Sequence, residues 1–328
     1  MGSEKTETDF RMTDAEILGL TMVKGIGKKS LLVLARSGLS INDLRSLNNA
    51  SLRRYIKGTH KDEAIFTLKD RFESILKKAK ERIEDLRSKG IEFISFVNKK
   101  YPKTFFQLNN LPPFIYLKGN LSLLSSEKNI AIVGTRKCSR HGIQIAKRTA
   151  KYFSNAKYNI VSGLAKGIDT AAHEGALKGK GWTTAIVVDV SKIYPKENQK
   201  LAEEILEKEG LILAENAPGD FIHRKSFVNR DRLQSALSLG IFVIEADLTG
   251  GTSHTVRFAK ELGRLIFYPD LSKLNLREEM KTGLIKELMK NNLANPYSKD
   301  KYEEILLTLQ KKQIELFSSE TNYEGYNF

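Results

Sequence analysis

The feature that most constrains this chain is an alternation that begins after Asn129. Short apolar runs at 130–133, 158–161, 184–188, 211–214, 241–244 and 265–267 have the length and composition of buried strands. Segments of helical character fill the gaps, at about 142–156, 169–179, 197–209, 231–239 and 254–263. Strands and helices in regular succession are best accommodated by parallel strands joined through right-handed crossovers. This half of the chain therefore predicts an open α/β sheet. Ligands of such sheets sit outside the carboxyl ends of the strands, so chemistry is expected in the loops that follow them.

The region before the sheet reads differently. Over 62–89, Ile65, Leu68, Phe72, Ile75, Leu76, Ala79, Ile83 and Leu86 recur at threes and fours, the spacing of a long amphipathic helix. A strand candidate at 91–97 and a passage rich in proline and aromatics, from Tyr101-Pro102 to Leu111–Tyr116, follow it. Three parts are expected: an all-α domain over 1–88, the α/β domain over 89–272, and a helical extension over 273–328. In that extension Leu284, Ile285, Leu288, Ile305, Leu306 and Leu309 are the apolar positions, and the last dozen residues look frayed.

Charge narrows the partners. The chain carries 54 Lys and Arg against 39 Asp and Glu, a net +15. That balance favours a polyanion, nucleic acid first and an acidic membrane surface second. Residues 24–61 alone hold nine basic side chains and one acid, Asp43. No apolar run reaches the roughly 18 residues of a membrane span, and the polar N-terminus lacks the apolar region of a secretion signal. Cys138 is the only cysteine, which excludes an intrachain disulfide and fits a reducing cytoplasm. The five histidines, His60, His141, His173, His223 and His254, are scattered without ligand spacing, so neither a metal nor another cofactor is expected.

Five motifs carry possible chemistry. Val23–Leu34 places Gly25 and Gly27 between two helical stretches, with Lys28 and Lys29 at the start of the second. A Gly-apolar-Gly turn of this kind lets a helix N-terminus approach a DNA phosphate, and the pattern is similar to the helix-hairpin-helix module. The alternative is a turn used only for packing. The strand at 130–133 runs into Gly134-Thr135-Arg136, with Ser139 as a candidate helix cap. Ser162-Gly163-Leu164-Ala165-Lys166-Gly167-Ile168-Asp169 follows the next strand. Its backbone amides and Lys166 suit an anion, and Asp169 suits a helix cap. His173, one turn further on, reads as structural. Arg230 and Arg232 precede an apolar helix, and Gly250-Gly251-Thr252 opens another. The loops at Gly134–Arg136, Ser162–Gly167 and Gly250–Thr252 would converge on one rim as a phosphate-binding groove.

In this order the motifs resemble the DprA/Smf family. The matches are Gly134-Thr135-Arg136, the complete Ser162–Asp169 signature, Tyr194-Pro195 with Asn198, Phe227 with Arg230 and Arg232, Ile244-Glu245-Ala246 with Gly250-Gly251-Thr252, and the leading Tyr101-Pro102, Leu111-Pro112-Pro113 and Gly119-Asn120. The resemblance implies an extended Rossmann-like parallel sheet behind an N-terminal helix-hairpin-helix (SAM-like) domain. It also implies a non-enzymatic protein that binds single-stranded DNA, forms a homodimer and loads the RecA recombinase in natural transformation. Its phosphate-contacting arginine falls on Arg136 and its loop cation on Lys166, with Ser162, Gly163, Gly167 and Gly250–Thr252 supplying amides and hydroxyls. Aromatics such as Phe221 or Phe227 would stack bases. The family's proline and asparagine are replaced by Val228 and Asp231, and its optional winged helix is not recognisable in 270–328.

Two other functions use the same loops. A sensor in phage defence would bind a small nucleotide there. A nucleotide phosphoribohydrolase would need a glutamate where this chain has Arg257, which argues against hydrolysis.

Overall fold

The computed structural model describes residues 10–274 and 280–318; the end of the chain from 319 on, expected to be frayed, lies outside the described residues. Contacts divide the chain into two compact units, one of residues 10–101 and 112–115, the other of 102–111 and 116 onward.

The first unit is mainly helical: α1 (Asp14–Thr21), α2 (Lys28–Arg36), α3 (Ile41–Ser46), α4 (Asn49–Leu52), α5 (Lys61–Phe66) and α6 (Phe72–Ser88). Capping boxes start α1, where Thr13 pairs with Glu16, and α3, where Ser40 pairs with Asp43. Gly25 takes φ +92 between α1 and α2, and a Cβ there would lie 2.5 Å from the His60 carbonyl oxygen. The long helix expected over 62–89 is broken by a π turn at Thr67–Arg71, between α5 and α6. Leu20, Leu31, Leu34, Leu44, Ile56, Leu68 and Phe72 form the core. β1 (Glu92–Ser95) and the first residues of β2 (Phe114–Gly119) belong to this unit, and the Asp14 carboxylate accepts from Ser95 N and Oγ at 2.8 and 2.7 Å.

The second unit is the α/β sheet. After the rest of β2 come β3 (Asn129–Val133), α7 (Arg140–Asn155), β4 (Asn159–Ser162), α8 (Ile168–Leu177), β5 (Thr183–Ile186), α9 (Gln199–Glu207) and β6 (Leu211–Ala214). They are followed by α10 (Arg224–Leu237), β7 (Gly240–Val243), α11 (Gly251–Glu261), β8 (Leu265–Pro269), α12 (Gly283–Lys290), β9 (Asn295–Tyr297) and α13 (Tyr302–Ser318). The strand order is β2-β6-β5-β4-β3-β7-β8-β9. Every pairing in it is parallel except β2 on β6. β3 to β6 wind out one way; β7 returns to the other side of β3, which makes β3/β7 the switch point of the sheet.

The C-terminal stretch and α10 also depart from what the sequence pattern predicts. The stretch after 273 was expected to be wholly helical, yet Asn295–Tyr297 adds an edge strand to β8. Its Tyr297 enters the core beside Phe242, and the Thr149 hydroxyl lies 3.1 and 2.9 Å from the hydroxyls of Tyr297 and Tyr302. Helix α10 begins at Arg224, not near 231, because His223 and Ser226 cap each other's backbone and Val228 keeps the amide that a proline would lack. Arg230 and Arg232 therefore lie inside a helix, not before one.

Candidate nucleic-acid interface

The loops after β3, β4 and β7 meet because glycines let them. A Cβ on Gly134 would stand 2.6 Å from Ile168 Cγ1 and 2.8 Å from the Glu245 carbonyl oxygen. Gly167, at φ +80, has the carbonyl oxygens of Thr135 and Arg136 where a Cβ would go, at 2.5 and 2.8 Å. The Ile168 amide donates to the Thr135 carbonyl at 3.3 Å, so the second loop is stitched to the first. Asp169 does not cap α8 as expected. Its buried carboxylate accepts from the amides of Gly163 (3.2 Å) and Ala165 (3.4 Å), and so holds the loop closed from behind. Burial pushes the Asp169 pKa up, against the pull of Arg230.

The predicted ligands separate into two groups. Arg136 is exposed, with its guanidinium 5.7 Å from the centre of the Phe227 ring, and Phe227 lies 5.8 Å from Tyr194. Tyr194 is 56% exposed, so aromatic surface lies open beside the arginine, and Phe221, 81% exposed, meets the His223 ring at 4.6 Å. Lys166 is exposed and pairs with Glu197 at 2.5 Å. Asn198 donates to the Leu164 carbonyl at 2.8 Å and fixes the same segment to the loop. Gly250 and Gly251 are exposed at the head of α11, where no side chain among the described residues caps the amides, and Thr252 is half-buried.

The others face inward. Ser162 is fully buried and donates its hydroxyl to the Ile132 carbonyl at 2.7 Å. Ser139 caps α7, accepting from the Gly142 amide at 3.0 Å. Its own amide and hydroxyl go to the buried Glu245 carboxylate at 3.0 and 2.9 Å, and the Lys281 amide donates to the same group at 3.1 Å. The head of α7 thus already holds an internal anion. Arg232 forms a two-pronged ion pair with Glu215, at 2.7 Å on each prong, and donates to the Asn110 and Asn229 carbonyls. At 3% exposure it fastens α10 to the sheet and to residues 102–111, and offers nothing to a phosphate. Arg230, also buried, reaches into the space left by Gly163, where a Cβ would be 1.6 Å from its Nη1. The neighbouring Asp231 lies 3.5 Å from that Nη1, and burial pushes its pKa up to about 6. Sequence patterns gave no sign of the roles of Glu197 and Glu245, because each acts on a distant loop.

His173 is fully buried, with Nδ1 2.7 Å from the Thr183 hydroxyl, and desolvation lowers its pKa to about 3. It is neutral and structural. In the first unit, Gly27 opens α2 without a side-chain cap, and Lys29 and Arg54 are exposed. Lys24 pairs with Glu63 at 3.1 Å, Arg53 with Asp62 and Arg45 with Glu73, so acids outside residues 24–61 offset part of the basic surplus.

Known proteins share the fold. The profile of DNA recombination-mediator protein A matches residues 92–309. Protein Smf of Borreliella burgdorferi is 34% identical over 240 residues, 70% of this chain and 74% of that protein. DNA processing protein DprA of Bacillus subtilis is 33% identical over 201 residues, 61% of this chain and 67% of that protein. The crystal structure of Streptococcus pneumoniae DprA superposes with a TM-score of 0.65 at 27% identity, covering 88% of this chain and 96% of that one. The structure of DNA processing protein A from Helicobacter pylori, described for its single-stranded DNA binding mode, superposes with a TM-score of 0.58 at 29% identity, covering 66% and 96%. A profile spanning the whole sheet, relatives matched over most of its length and a shared fold lead to one conclusion: this chain belongs to the DNA recombination-mediator protein A family, DprA/Smf.

Proposed function

We propose that the second unit binds single-stranded DNA through its sugar-phosphate chain and leaves it chemically unchanged. The observation that carries this reading is the gathering of exposed Arg136, exposed Lys166 and the uncapped head of α11 on the carboxyl edge of the sheet. Cationic side chains and free amides of this sort position a backbone without reading bases. Tyr194, Phe221 and Phe227 offer stacking surface that tolerates any base. The helix-hairpin-helix segment, through Gly25, Gly27, Lys28 and Lys29, is a second backbone contact in this proposal. Arg257 pairs with Glu261 at 3.7 Å where a phosphoribohydrolase would carry its glutamate, which favours binding over catalysis.

Family membership extends the proposal to a cytoplasmic homodimer that protects single strands and loads RecA during DNA uptake. Titrating single strands, duplexes and mononucleotides separates the readings. Affinity that climbs with each added nucleotide until the site is full supports strand binding. Saturation by a mononucleotide would instead identify a sensor, and release of free base a hydrolase. RecA loading is read separately, as faster filament nucleation on coated single strands.

A further inference from the structure

Helix α10 brings two adjacent charges to the candidate interface and buries both. Arg230 occupies the cradle left by Gly163, and its buried Nε has no hydrogen-bond partner among the described residues. Asp231, only 7% exposed, accepts from Gln234 Nε2 at 3.2 Å and stands 3.5 Å from Arg230 Nη1. Its other oxygen is 3.9 Å from the Cβ position of Gly251, the first residue of α11. The charged groups that bear on it are Arg230 from its own helix, Arg136 from the loop after β3 and Asp169 from α8. His173, further along α8, backs Arg230. An acid is thus lodged among two arginines and an uncapped helix head, the features that would attract a phosphate.

We infer that Asp231 is an internal competitor for the phosphate of the bound strand: while charged it holds down affinity along the Arg136–Gly251 part of the rim, and losing that charge strengthens the grip on single-stranded DNA. This rests on the reading of the rim as a phosphate-binding surface. The competitor needs no movement, since it acts through its charge on groups it already faces. Burial places its titration near pH 6, and a phosphate approaching the rim raises it further. Binding therefore takes up a proton, and affinity rises in mildly acidic solution.

The test is Asp231→Asn, which keeps the shape and removes the charge. A fluorescent thymidine oligonucleotide is titrated at fixed salt from about pH 8 to about pH 5.5, bracketing the charge change. The wild type gains roughly tenfold in affinity over that range, the equivalent of one unit of coupled shift. The variant binds at the alkaline end nearly as tightly as the wild type at the acid end. His223 precedes α10 and His254 lies in α11, so the pair is repeated in an H223Q/H254Q background, where the difference persists. Superposable profiles for wild type and D231N, or weaker binding by D231N, overturn the inference while leaving strand binding intact. Absence of binding by both proteins at every pH overturns the reading of the rim and this inference with it. Should D231N fail to fold, calorimetry of the H223Q/H254Q protein in two buffers of different ionisation enthalpy reads the proton directly. Uptake near pH 6.5 supports the competitor, and none rejects it.

Discussion

Arg136 and Arg232 are equal as residue types, and the fold sets them apart. Arg136 is free to meet a ligand, whereas Arg232 is spent on Glu215 and two backbone carbonyls. Arg136→Ala should weaken every single-stranded sequence alike and leave the melting temperature unchanged. Arg232→Ala should cost about 3–5 kcal/mol of stability, because it strands the partly buried Glu215 carboxylate, and denaturant unfolding measures it. Asp231 supplies a pH signature. The folded chain keeps its proton up to about pH 6, while the unfolded chain releases it near the ordinary carboxyl value of 3.8. The folded state binds more protons in that window, so stability from this group falls as pH rises through it. Asp231→Asn should therefore stabilise the protein by up to about 3 kcal/mol above pH 6, with the gain fading below about pH 4, as read by unfolding at a series of pH values.

At the scale of elements, Lys166 and Glu197 show how one loop restrains another. Their pair is exposed, so Glu197→Gln should raise single-strand affinity only roughly two- to fivefold, by leaving Lys166 to the DNA. A filter-binding or anisotropy titration checks it, and unchanged or reduced affinity would mean that Lys166 does not face the strand. The six central parallel strands were legible because each is an apolar run of strand length closed by a small-residue loop. β9 was not, since Asn295-Pro296-Tyr297 has no apolar run and gains its place from Tyr297 packing on Phe242. The early start of α10 was hidden because its first two turns have only Phe227 and Val228 as apolar residues, side by side and without helical spacing, and a motif of two arginines reads as a loop until a cap is seen. Exposed site residues could be guessed from type, but the inward turn of Ser162, Ser139 and Arg232 depends on Ile132, Glu245 and Glu215, partners 17 to 106 positions away.

For the whole molecule the guide is charge, and a net +15 is an upper measure of what a polyanion meets, since many lysines and arginines are already paired. If about five phosphates are neutralised, log K should fall with log salt at a slope of roughly −3.5. A flat response would reject backbone binding. The Glu245 carboxylate at the head of α7 has a wider consequence. In doubly wound sheets that berth beside the switch point is where a compact diphosphate usually lodges. A guest with its charge gathered in one spot finds the berth taken by the protein itself. On the proposed reading, a guest with its charge strung out at intervals has no need of it and collects small attractions from turn after turn along the edge, so length should be rewarded over fit.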